Sequence, residues 1–95
     1  MRKPAQILDA RLVKGHVIGK LLRRDSLAIR AGWDIRVEFP DEPACAPLGG
    51  KTDSQGLFDI TLDPSDLNCA WIKVSGGQGS FNASLWDSLL IEGPR

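Results

Sequence analysis

The chain of 95 residues contains no tyrosine, a single histidine, two cysteines and one methionine. So few histidines and cysteines leave little from which to build a dedicated metal site. No apolar run approaches the length of a membrane span. Met1-Arg2-Lys3 has the look of a signal-peptide n-region, but Asp9 and Arg11 interrupt what would be its apolar stretch. The sequence thus shows neither a signal peptide nor a transmembrane segment, and it leaves the compartment open. Net charge is zero, from 12 Lys+Arg and 12 Asp+Glu, which argues against a general nucleic-acid binder.

What is present is the composition of one small globular domain spanning 1–95, with 42% hydrophobic residues. A chain of this size buries about two-thirds of the surface that its unfolded form exposes, enough for a core without staples. The zero net charge hides a division. Residues 1–36 hold nine cations and three anions, a net +6, and the remainder holds three cations and nine anions, a net −6. Two readings stand: the halves interleave and their charges pair across the surface, or one half is a binding region.

The clearest local pattern is Trp33-Asp34-Ile35-Arg36-Val37-Glu38-Phe39. Its strict alternation puts Trp33, Ile35, Val37 and Phe39 on one face of a strand and the charges on the other. Pro40, which has no N–H for a ladder, ends it. Residues 40–50, with three prolines and Gly49-Gly50, read as a loop with room for one very short strand. Thr52 to Gly56 reads as a turn in which Gly56 takes positive φ.

Leu57 to Leu62 is then a strand with Phe58, Ile60 and Leu62 inward. Asp63-Pro64-Ser65-Asp66 closes it, with Ser65 or Asp66 capping one short helical turn. Ala70 to Ser75 is a strand with Ala70, Ile72 and Val74 inward and Trp71 and Lys73 outward. Gly76 to Gly79 reads as a flexible turn, and Ser80–Leu85 and Ser88–Glu92 as the last two strands.

In the first third, two glycines within nine residues disfavour a helix over Lys14 to Leu22. That segment reads as a strand bulged or bent at a glycine. Residues 5–13 extend this first strand or form a short helix; extension is preferred, which makes 1–12 an N-terminal extension of the strand, and Arg23 to Ala31 reads as a loop. The tally is six or seven short strands with turn signals every 8 to 12 residues, the pattern of an antiparallel sandwich or barrel.

The order of signals is also familiar. Gly15-His16-Val17-Ile18-Gly19 gives a Gly-x-Val pattern. It is followed by Ala31-Gly32-Trp33-Asp34-Ile35-Arg36-Val37, by Thr52-Asp53-Ser54-Gln55-Gly56-Leu57-Phe58, and by a strand ending Ile72-Lys73-Val74-Ser75. Over residues 13–76 this resembles the carboxypeptidase-regulatory-like, or transthyretin-like, β-sandwich modules. The resemblance implies a seven-stranded antiparallel Greek-key sandwich of the prealbumin-like kind, with a core over about 13–92. It also implies a non-catalytic structural or protein-interaction role, and it would allow a cell-surface or secreted setting. Two departures stand out: Trp33 replaces a small residue, and Ala70 with Trp71 replaces a strand-opening aromatic. The hydroxyisourate hydrolases of this fold use several histidines and a terminal Tyr-Arg-Gly-Ser. This chain has no tyrosine and ends Glu92-Gly93-Pro94-Arg95.

The remaining chemistry is sparse. His16 lies in a strand without an evident nucleophile or acid. Asp63/Asp66 and Asp41/Glu42 read as solvated turn residues. Asp53 with Asp59 lacks the run of carboxylates of a helical calcium loop. Neither a cofactor, a metal nor a catalytic residue is expected. Cys45 and Cys69 read as free thiols, with a disulfide undecided by sequence. Asn82-Ala83-Ser84 matches a glycosylation sequon.

Candidate ligand or partner contacts are Trp71 and Trp86, which alternation turns outward, and Arg23, Arg24 and Arg30, which suit phosphate or carboxylate groups. Expected partners are other protein domains or a second copy of the chain. The alternative function is carbohydrate or ligand binding through an exposed tryptophan. Nucleic acid and membrane insertion are not expected.

Overall fold

In a computed structural model, described over residues 6–78 and 86–94, the chain is all-β. Its strands are β1 (Gln6–Val13), β2 (His16–Arg23), β3 (Asp34–Glu38), β4 (Leu48–Lys51), β5 (Leu57–Thr61), β6 (Trp71–Gly77) and β7 (Asp87–Glu92), with one 3-10 turn over Pro64–Asn68. They form two antiparallel sheets in the orders β1-β2-β5 and β4-β3-β6-β7. The sheets face each other in an open sandwich, with β1 beside β7 and β4 beside β5.

The core is the set of side chains that alternation turns inward from both sheets. Val17, Leu21, Phe58 and Ile60 of the three-stranded sheet meet Ile35, Val37, Ile72 and Val74 of the four-stranded one. Of the inward residues expected of β3 and β5, Ile35, Val37, Phe39, Phe58, Ile60 and Leu62 are buried, and Trp33 is only partly so. Trp33 is half-buried against this core, and the Arg30 guanidinium lies 4.4 Å from its ring centre.

Four expectations are corrected. Residues 6–13 do not extend the next strand. They are β1, which turns at Lys14 (φ +50) and Gly15 (φ +80) and pairs antiparallel with β2, Val13 opposite His16. Two residues with positive φ make the tight turn that suits the twist of a hairpin.

Second, β2 carries no bulge at Gly19. The ladder runs through it, opposite Ala10 on one side and Phe58 on the other. A Cβ there would collide with the Asp9 carbonyl oxygen of β1 and come within 2.7 Å of the Phe58 ring, so the glycine makes room for the neighbouring backbone as well as for a core ring.

Third, Gly76 and Gly77 are not a turn but the end of β6, opposite Ile35 and Asp34. Fourth, the cap of the 3-10 turn is Asp63, with Pro64 following it. Asp66 instead accepts a hydrogen bond from the Asp63 N–H at 3.1 Å. The strand expected over Ser80–Leu85 and the sequon at Asn82 lie outside the described residues.

Candidate interaction surfaces

The outer face of the four-stranded sheet holds both tryptophans singled out above, and it treats them differently. Inward residues of β6 are Ile72, Val74 and Gly76, so Trp71, Lys73, Ser75 and Gly77 turn outward. Trp86, just before β7, lies on this outer face over Gly77. A Cβ at Gly77 would come within 2.5 Å of the indole. The missing side chain is the seat of the ring, and Trp86 is only 9% exposed. Trp86 is therefore corrected from an exposed contact to a packing residue. Beside it runs a shallow groove of about 590 Å3, edged by Asp34, Arg36, Pro47, Gly49 and Lys51. The Lys51 ammonium pairs there with Asp34 at 2.9 Å.

At the other end of the same face Trp71 opens β6 and is 43% exposed. Its pairing partner on β7 is Glu92, and Leu90, 54% exposed, is one diagonal step away, opposite Lys73. This end is set by the loop between β3 and β4. The Asp41 carboxylate accepts hydrogen bonds from the N–H groups of Ala70 (2.9 Å) and Trp71 (3.4 Å), which fixes where β6 begins.

In the same corner Cys45 and Cys69 are free thiols, Cys69 buried within the core. Burial first, and then the nearby carboxylates, push both thiols above their ordinary range. For Cys45 the main carboxylate is Asp66, and for Cys69 it is Asp41.

The arginines occupy the opposite end, Arg23 closing β2 and Arg24 and Arg30 in the loop from β2 to β3. Arg23 Nε pairs with Asp25 at 2.7 Å, Arg30 stacks on Trp33, and Arg24 is exposed. Arg23 and Arg30 are thus engaged by different partners, Asp25 and the Trp33 ring. The loop is tightly held. Leu27 N–H donates to the Arg23 carbonyl (2.8 Å), Arg23 N–H to the Ala28 carbonyl (2.7 Å) and Arg30 N–H to the Leu21 carbonyl (3.1 Å). The buried Thr52 hydroxyl donates to the Arg30 carbonyl and accepts from the Trp33 N–H. At the tip Leu27 has φ +59 and stands exposed beside exposed Ile29. Sequence reasoning overlooked these two residues. Their signal was an apolar Leu-Ala-Ile run inside a segment otherwise charged and polar.

The outer face of the three-stranded sheet carries the histidine. His16 Nδ1 lies 2.8 Å from Asp59 Oδ1 and 3.3 Å from Thr61 Oγ1, beside an open groove of about 770 Å3 edged by Arg11, Ile18, Lys20, Leu57 and Asp59. Both partners meet the same ring nitrogen, so the hydroxyl is not placed as a nucleophile on the nitrogen opposite the carboxylate, as a hydrolytic triad requires. The Asp53 carboxylate is engaged by its own turn, accepting from the N–H groups of Gln55 (2.8 Å) and Leu57 (3.0 Å). Among the described residues no three His, Cys, Asp or Glu side chains are grouped to hold a metal ion.

Comparison with protein-family models, curated proteins and solved structures finds no match for this chain.

Proposed function

We propose that the chain is a non-catalytic interaction module whose binding surface is the Trp71 end of the four-stranded sheet. The observation that carries this reading is the contrast between two outward tryptophans. The sheet builds a seat for Trp86, while it leaves Trp71 and Leu90 exposed on the paired strands β6 and β7, with the start of β6 fixed by Asp41. Exposed aromatic side chains on rigid elements are the usual anchors of protein interfaces.

The finer fold reading, a prealbumin-like Greek-key sandwich, is part of the same proposal. It is supported by the order of the Gly-x-Val, Ala-Gly and Thr-Asp-x-x-Gly-x-Phe signals and by the chain's three switches between sheets, at β2–β3, β4–β5 and β5–β6.

The test is affinity capture from cells of the source organism with the wild-type chain and with Trp71→Ala, both checked for unchanged thermal unfolding. Specific partners lost with Trp71→Ala support the reading. Partners unaffected by it, or a turnover activity that survives purification to homogeneity, overturn it. A second reading, a carbohydrate platform, draws on the polar neighbours of the Trp71 ring, Lys73 and Glu92. It predicts quenching or a shift of tryptophan fluorescence on titrating glycans, absent in Trp71→Ala. A flat response across a broad glycan panel contradicts it.

A further inference from the structure

Each end of the fold leaves apolar side chains exposed beside charged ones, and the charges nearest them differ in sign. At one end the loop tip presents Leu27, 61% exposed, and Ile29, 51% exposed. Around them stand Arg23, Arg24 and Arg30, against Asp25 and, in the adjoining turn, Asp53. Leu27 is held in the left-handed region, where a bulky side chain is strained, and it packs against no core residue. The tip is nonetheless fixed by the backbone bonds of Arg23, Leu27 and Arg30 and by Thr52.

At the other end Trp71 and Leu90 stand beside two carboxylates, Glu92 opposite Trp71 and Asp41 at the start of β6, against Lys73. The two ends lie apart along the sheet. The tip loop enters β3 at Asp34, which pairs with Gly77, six residues along β6 from Trp71, or about 20 Å at strand spacing. One molecule cannot bring them into contact with each other.

We propose that these ends recognise each other between molecules. The Leu27–Ile29 tip of one chain seats on the Trp71–Leu90 platform of a second copy, and the arginines of the tip face the carboxylates that rim the platform. The inference rests on reading the Trp71 end as an interaction surface, and it commits that surface to one occupant. The second copy is favoured because this chain itself supplies an apolar tip of the complementary charge, while its net charge of zero gives no general attraction to a polyanion. The contact is heterologous: each copy retains an unused tip and an unused platform, so assembly continues beyond a pair.

The test is sedimentation velocity of the full chain over a rising concentration series. The expected result is a mean mass that climbs past that of a dimer at low salt. It should fall back to monomer near 1 M salt, where charge attraction reaches only about 3 Å. Leu27→Gly removes the tip side chain and suits the positive φ, so its fold is safe; Trp71→Ser removes the platform. Each variant alone is expected to associate about tenfold more weakly. A mixture of the two restores one working contact and is expected to stop at a dimer.

A wild-type chain that stays monomeric overturns the proposal, as does growth unchanged by Leu27→Gly. A monomer that pellets with phosphatidylserine vesicles through Leu27 overturns it in favour of a membrane surface. If the chain is monomeric while capture of cellular partners still depends on Trp71, the head-to-tail contact fails and the interaction-module reading stands.

Discussion

The two ends of the four-stranded sheet show how one rule of alternation yields opposite outcomes. Trp71 and Trp86 both lie on the outer face. At the Trp86 end the opposing residue is Gly77, and the ring lies on bare backbone. At the Trp71 end the neighbours are Glu92, Lys73 and Leu90, which leave the ring partly in solvent. The fate of an outward aromatic is therefore set by what stands beside it. A glycine converts it into part of the structure, and long side chains leave it available for recognition.

The sharpest way to break this comparison is to truncate each ring. Trp86→Ala is expected to lower stability by about 3 kcal/mol, and Trp71→Ala by less than about 1 kcal/mol, in urea unfolding. Equal losses would erase the difference between the ends. Filling the seat instead, with Gly77→Ala, forces the indole aside and is expected to cost about 1–3 kcal/mol. Its circular dichroism in the aromatic region should change along with the loss.

Thr52→Val probes the arginine end. It removes the hydroxyl that joins Arg30 to Trp33, in a buried position, and is expected to cost about 1–2 kcal/mol. Faster amide exchange over residues 30–33 should accompany it. Asp41→Asn probes the platform end. Weakening the two bonds to the start of β6 is expected to cost about 1 kcal/mol and to loosen Trp71 more than Trp86.

The smallest effect concerns pH. Both thiols ionise less readily in the folded chain than in the unfolded one. Their contribution is therefore fully present below the unfolded thiol value of about 8.5 and is lost as pH rises through the folded values. Stability should decline across that window, and the Cys45→Ser, Cys69→Ser double variant should decline less.

Much of the fold was legible because its strands are half-buried. The alternation over Trp33–Phe39 and Leu57–Leu62 identified buried residues one by one, and the turn at Gly56 (φ +76) followed from its chemistry. Glycine was the source of most of the errors. The same residue type turns the chain at Gly15, makes space for Phe58 at Gly19 and seats Trp86 at Gly77. Only the partner across the sheet distinguishes these roles, and a single sequence does not display that partner. The candidate surfaces were legible in part for the same reason. Trp71 follows from strand parity alone, whereas the burial of Trp86 depends on a glycine nine positions earlier. The exposed tip at Leu27 and Ile29 depends on a loop whose bonds run to β2 and Thr52.

The most direct test of the central claim is acrylamide quenching of two single-tryptophan chains. One keeps Trp71 (Trp33→Phe, Trp86→Phe) and the other keeps Trp86 (Trp33→Phe, Trp71→Phe). Strong quenching and red-shifted emission from Trp71, with a shielded, blue-shifted Trp86, is the predicted result. Equal shielding, or a Trp86 more accessible than Trp71, would contradict the division of the sheet into a packed end and an exposed end.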